Sequence, residues 1–379
     1  MANETGRLHQ LIDWTEKRLN LTEMVSLLTM FGLFYTELNT SKPLSEAVRE
    51  ALAKPLPAYS RWPRVMGLLV LILFLFELGT GLLLAFYYRP TPQESYASIL
   101  IIARDVRFGW FVRQMHFWGA QLLLVILIAR LIRFFFRGHY RPPRELIWIT
   151  AALLLVTATH LDFTGRFLAS NNDFYWSSRR AMELLFSIPI MGVFFSFVIH
   201  EIEDYTFTLS RFYFMHILML PTLFWGLLYL SFSGIRRIGL TEIKGEEHRP
   251  ARETFPAHLY NLLIIVVFIF GILVTFSVLV PVPFGEPIDY LETPGNLRIP
   301  WYLLAPYGLV EIFPSWMPIS GRSLILLVVL MVFILLPFLD RRSNREPSQR
   351  RRIWIVNFVL LAVWIFFTFY GAFLDIGGG

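Results

Sequence analysis

Seven stretches of the chain, roughly 64–88, 109–130, 145–166, 209–232, 257–281, 322–339 and 352–374, are apolar over the length needed to enter a bilayer. A helix needs about 20 such residues to cross about 30 Å of hydrocarbon. In lipid every backbone N–H and C=O must be satisfied within the protein, so runs of this length fold as helices. The composition agrees: 55% of residues are hydrophobic, 16% are charged and the mean hydropathy is +0.55. A water-soluble chain of 379 residues does not show that balance. The expected fold is therefore an all-α integral membrane bundle of seven transmembrane helices. The first 60 residues are polar or amphipathic, and no cleavable leader is expected among them.

The connections give an orientation. Residues 131–146, 233–256 and 340–352 hold four, five and six Lys/Arg, whereas 88–108, 169–208 and 281–321 hold three, two and one. Basic loops stay in the cytoplasm, so the amino terminus is expected there and the carboxyl terminus outside. The long outer loops are rich in Pro and aromatic residues, and short amphipathic helices at the interface are expected in them. Segment 22–36 reads as another surface helix. The polar connection 233–256 separates four spans from three. Three regions follow: a cytoplasmic amphipathic segment over 1–61, a four-helix domain over 62–245 and a three-helix domain over 246–379. The chain has no cysteine, which excludes disulfides, iron–sulfur clusters and thioether-linked haem within it. Arginine outnumbers lysine, in keeping with GC-rich bacterial coding and a bacterial or archaeal cytoplasmic membrane.

Few polar side chains lie at depth: Glu77, His116, Arg130, His160, Asp162 and His216. Each is costly in lipid and is a functional candidate. Taken singly, an interhelical hydrogen bond or a snorkelling end explains any of them. Paired histidines on different spans are harder to dismiss, and His116 and His216 begin the second and fourth spans at similar depth. Two facing neutral imidazoles can hold a haem iron axially. Gly67 and Gly81 lie fourteen residues apart on the first span, about 21 Å along its axis. They leave two patches without side chains, suited to a flat ligand or to close helix contact. Arg113, one turn before His116, is placed to pair with an acidic group such as a haem propionate.

Six segments carry a resemblance: GTGLLLAFYYRP (79–90), SYASILIIARDVRFGWFVRQMHFWGA (95–120), GHYRPPRELIW (138–148), FTGRFL (163–168), TLSRFYFMHILMLP (208–221) and RRIGLT (236–241). In this order and spacing the chain resembles the cytochrome b subunit of bc-type quinol oxidoreductases from about residue 60 onward. Four plus three spans in one polypeptide resembles a fusion of the split photosynthetic form. The resemblance implies two haems between the second and fourth spans, each on two histidines, with the histidines of one span fourteen or fifteen residues apart. His116 and His216 match the outer-haem ligands. The inner partner of His116 falls on Arg130, and that of His216 on Ser231, or on Leu230 at the shorter spacing. In the third span Gly165 stands, while Ala151 takes the place of the second family glycine. The inner haem is therefore expected to be absent, its volume closed by Phe134, Trp225 and Tyr229 or by lipid. Arg130 is expected to snorkel toward the cytoplasmic headgroups.

The outer quinone site departs as well. The family's Pro-Glu-Trp-Tyr reads Ile299-Pro300-Trp301-Tyr302, which keeps Tyr302 as a cofactor-site residue and loses the carboxylate. Glu77, Asp162 and His160 are expected to hydrogen-bond one another, the alternative being that one of them accepts a quinol proton. The preferred reading is the membrane subunit of an oxidoreductase complex with one outer, bis-histidine haem b. It passes electrons between quinone or quinol and an extracytoplasmic c-type cytochrome or iron–sulfur subunit. A non-catalytic anchor retaining the fold is the alternative, and a two-haem enzyme with differently placed ligands is the third reading. The resemblance implies a homodimer; membrane lipid is the other partner, and no nucleic acid is expected.

Overall fold

The computed structural model describes residues 41–53, 62–187, 205–238, 255–291, 299–314, 316–340 and 351–377. The helices in chain order are α1 (Leu44–Ala53), α2 (Trp62–Ala85), α3 (Ser95–Arg104), α4 (Gly109–Arg137), α5 (Glu145–Leu168), α6 (Asn172–Phe186) and α7 (Tyr205–Phe214). A π turn, Met215–Met219, joins α7 to α8 (Leu220–Ile238), followed by α9 (Phe255–Leu279), α10 (Leu304–Glu311), α11 (Ile319–Ile334), α12 (Leu336–Leu339) and α13 (Arg351–Gly377). Helices stand at all seven apolar stretches. Among the described residues five are long and apolar enough to cross a membrane: α2, α4, α5, the continuous α7–α8 rod and α9. α11 has only 16 residues, and the apolar part of α13 is Phe358–Leu374. The expected surface helix at 22–36 lies outside the described residues. The two long connections 169–208 and 281–321 do carry short helices, α6 and α10.

Local chemistry sets the ends of α4. Phe108 takes a left-handed conformation (φ 60°), and Gly109 packs so closely on the Ile102 carbonyl that a Cβ there would collide. At the other end Gly138 is left-handed (φ 66°), and the His139 N–H reaches the Phe134 carbonyl at 2.8 Å. Glycine there satisfies two terminal carbonyls without steric penalty.

α4 packs on α2 and α5, α5 packs on α8, and α9 lies against α4; α10 packs on α13. The central contact is made by Leu69, Leu73, Phe74, Leu124, Leu127, Leu154, Phe224 and Leu228, with Phe74 stacked on Phe224 at 4.4 Å. Since lipid is as apolar as leucine, dispersion and fit hold these helices together more than hydrophobic transfer does. The outward face is correspondingly greasy: Phe268 of α9 and Phe369 and Phe373 of α13 are about 70% exposed.

The strand-like segment after α9 folds back over the end of the bundle that carries the histidines. The Gln114 amide bonds both polar groups of Val282, the Trp118 indole donates to Val280, and Tyr96 donates to Gly285. Asn171 and Asn172 hold residues 284–286 from the α5–α6 corner.

Candidate functional site

α4 carries His116 and the π turn carries His216. Pro221 follows that turn and has no N–H to give Ile217, so a regular helix would be broken there. The chain widens instead, and the Leu220 N–H reaches back to Met215. The two imidazoles lie 6.2 Å apart between ring centres, with planes 82° apart. Two metal–nitrogen bonds of about 2 Å, plus about 1 Å from each ring centre to its nitrogen, span about the same distance.

The tautomers follow from the threonines. Thr80 Oγ1 donates to the Phe76 and Glu77 carbonyls at 3.0 and 3.2 Å, so it accepts from His116 Nδ1 at 2.9 Å. Thr164 Oγ1 donates to His160 and Leu161 at 2.8 and 3.1 Å and accepts from His216 Nδ1 at 3.1 Å. With the proton on Nδ1, each Nε2 keeps its lone pair for a metal. The glycine after each threonine makes room. A Cβ on Gly81 would sit 3.1 Å from His116 Cε1, and one on Gly165 would sit 2.8 Å from His216 Cε1. Among the described residues no three His, Cys, Asp or Glu side chains could share a metal ion. Two imidazoles alone suit an iron whose other four positions are filled by a porphyrin.

Fourteen residues along α4, Arg130 donates from Nη2 to Ser231 Oγ at 2.8 Å, and both are buried. The side chain does not snorkel. Its guanidinium lies 5.1 Å over the Phe134 ring, and Nη1 is buried without a hydrogen-bond partner among the described residues. Ser231 is fully buried and Leu230 is 45% exposed, so the fifteen-residue spacing describes the face turned toward α4. Of the side chains expected to close this end, Phe134 is buried. Trp225 and Tyr229 face outward, 37% and 41% exposed. Phe232 lies over Gly67 instead, 3.5 Å from where a Cβ would stand, and Ala151 is buried nearby among Phe134 and Trp148.

Arg113 donates to the Val282 and Pro283 carbonyls at 3.1 and 3.3 Å and stacks on Phe284. It ties the returning segment to α4, leaving guanidinium protons for another acceptor.

Glu77, His160 and Asp162 do not bond one another. Glu77 Oε2 lies 2.9 Å from His116 Nδ1, and His160 bonds the Val156 carbonyl one turn back. Asp162 accepts from Gln121, Arg166 and Tyr302 at 2.5, 2.5 and 2.7 Å. Trp301 donates to the same Gln121, so the 299–302 stretch is fastened to α4 and α5 through one buried carboxylate. Burial, and then the charge of Asp162, push the Tyr302 phenol above its ordinary value, which keeps it a neutral donor.

Residues 53–239 match the family model described as Cytochrome b/b6/petB, and residues 287–374 match Cytochrome b(C-terminal)/b6/petD. Cytochrome b6 of Heliobacterium modesticaldum is 35% identical over 178 residues, 47% of this chain and 84% of that protein. Cytochrome b of Allochromatium vinosum is 27% identical over 360 residues, 84% of this chain and 85% of its own. The cytochrome bc complex cytochrome b subunit of Chlorobaculum thiosulfatiphilum is 27% identical over 334 residues, covering 85% and 76% of the two chains. A solved chain titled Hyperthermophilic respiratory Complex III superposes with a TM-score of 0.70 at 21% identity, over 96% of this chain and 98% of that one.

Proposed function

This chain belongs to the cytochrome b family of bc-type complexes, and from that premise we propose that it carries one haem b, held by His116 and His216 on the outer side. The observation that carries the reading is the pair of imidazoles 6.2 Å apart, each with Nδ1 occupied by a threonine hydroxyl. A haem bound there supplies one-electron transfer. Gly81 and Gly165 give the two rings room, and Arg113 is the cation available for an acidic substituent.

The same reading leaves the inner haem out. The residues at the inner ligand positions, Arg130 and Ser231, bond each other, and neither is a usual iron ligand. Phe232 over Gly67 and the buried Ala151 favour a closed inner volume. Electrons entering at a single outer centre have no second centre in this chain to carry them across the bilayer.

Exchange is therefore between quinone or quinol and a redox subunit on the outer side, a c-type cytochrome or an iron–sulfur protein, since the chain has no cysteine for a centre of its own. The outer loops 169–208 and 281–321 are the docking surface. Amino terminus inside, seven spans, a boundary near residue 245 and a homodimer complete this arrangement. The gap between the two matched stretches, 239 to 287, supports that boundary.

Counting haem per chain in the purified complex tests it. One low-spin b haem, lost in His116→Ala and in His216→Ala, is the expected result. Two b haems, or none, overturn the assignment.

A further inference from the structure

The two halves of the histidine site are built on one plan. Thr80–Gly81 of α2 serve His116, and Thr164–Gly165 of α5 serve His216. Each threonine is fixed by the carbonyls three and four residues before it, and each following glycine gives way to a ring. The halves differ three residues before the threonine, where α5 has Leu161 and α2 has Glu77. Glu77 Oε2 lies 2.9 Å from His116 Nδ1, giving this ring a carboxylate where the other half has an apolar leucine.

The surroundings hold that carboxylate in place. Gly119 is three residues beyond His116 on the same face of α4, and Glu77 Oε1 fills the space where its Cβ would be. Oε1 is buried and has no hydrogen-bond partner among the described residues. A carboxylate left half-satisfied at this depth is expensive, and Leu161 shows that an apolar side chain serves the same position in the other half. Packing therefore does not account for Glu77.

We propose that Glu77 is a positioning residue for His116 that lowers the potential of the iron held there. The proposal rests on His116 and His216 being the axial ligands. A carboxylate that shares the Nδ1–H of a ligating imidazole with a hydroxyl, as Glu77 does with Thr80, fixes the ring and makes it a stronger electron donor. That favours the ferric over the ferrous state, and a negative charge in a low-dielectric site acts in the same direction.

The test is a redox titration of the haem in the complete complex, for wild type, Glu77→Gln and Glu77→Leu. The Gln variant keeps shape and removes the charge; the Leu variant copies the His216 half. Both are expected to retain a low-spin spectrum. Their reduced-to-oxidised ratio at a fixed ambient potential should rise at least tenfold, 59 mV for a one-electron couple. Low-spin variants that titrate with the wild type overturn the proposal. So does loss of haem from both variants, because Glu77 would then be a structural support. A wild-type complex without haem at this site refutes the axial-ligand reading instead.

Discussion

Arg130 and Ser231, fourteen residues beyond His116 and fifteen beyond His216, meet in a 2.8 Å hydrogen bond. The contact joins α4 to α8 deep in the bundle, but it satisfies only part of a buried guanidinium, since Nη1 has no partner among the described residues. Removing Ser231 should be more damaging than removing the charge that it serves.

Ser231→Ala should thus lower stability by about 1–3 kcal/mol, the cost of stranding a buried donor. Arg130→Met should be neutral or stabilising, as replacement of a poorly compensated buried charge by an apolar side chain often is. Thermal unfolding in detergent separates the two, and the haem spectrum should be unchanged in both. A Met variant less stable than the Ala variant contradicts the account.

Glycine substitutions should grade with the space each glycine leaves. Gly165→Ala places a methyl 2.8 Å from His216 Cε1, Gly81→Ala places one 3.1 Å from His116 Cε1, and Gly271 has nothing within 4 Å. The first should displace His216 and abolish the low-spin spectrum; the second should perturb it. Gly271→Ala should leave it intact and stabilise α9 by about 0.5–1 kcal/mol. Absorption spectra with the haem-to-chain ratio read this series.

These outcomes depend unequally on what could be seen in the sequence. His116 and His216 stood out as histidines within apolar spans, and the family resemblance, carried along helices that repeat their faces at fixed intervals, pointed to Arg130 and to Ser231 or Leu230. The same rule, followed down α8, excludes Trp225 and Tyr229. Leu220, Phe224, Leu227, Leu228 and Ser231 share the buried face, and those two aromatics lie off it. Size suggested them; register decides against them. The repeated Thr-Gly dipeptide at 80–81 and 164–165 was a readable signal for the imidazole partners. Nothing local announces that Gln114 and Arg113 hold a segment some 170 residues away, since such pairings depend on the packed helices that bring them together.

At the opposite end from the histidines, Asp340 accepts from Tyr140 at 2.7 Å and from Arg141 Nε and Nη2 at 2.9 and 2.6 Å, pinning the α4–α5 connection. Burial first, and then the bond to Asp340, raise the Tyr140 phenol above its ordinary value. A raised folded value means that the neutral phenol's contribution is complete below about pH 10 and is lost as the pH climbs through the folded value. Tyr140→Phe should therefore flatten the alkaline fall of the melting temperature. Parallel curves for the variant and wild type above pH 10 would falsify this.

The 299–302 stretch yields the last prediction. Pro300 stands where the family has a carboxylate, so no acid is presented there to take a quinol proton. The acid bonded to this stretch, Asp162, is committed to Gln121, Arg166 and Tyr302, all donors. Asn at 162 turns an NH2 toward one of those donors, and breaking such a buried charged contact costs about 3–5 kcal/mol. Tyr302→Phe removes one bond to a charged acceptor, worth about 1.5–3 kcal/mol. Asp162→Asn should thus destabilise the chain more than Tyr302→Phe, because one change disturbs the hub and the other a spoke. Inhibitors that compete at the family's outer quinone site should act weakly or not at all, since the stretch they would contact is held by this network and lacks the acid. Ordinary inhibitor sensitivity of quinol-dependent cytochrome c reduction, abolished in Asp162→Asn without loss of melting temperature, would make Asp162 the proton acceptor and reverse this reading.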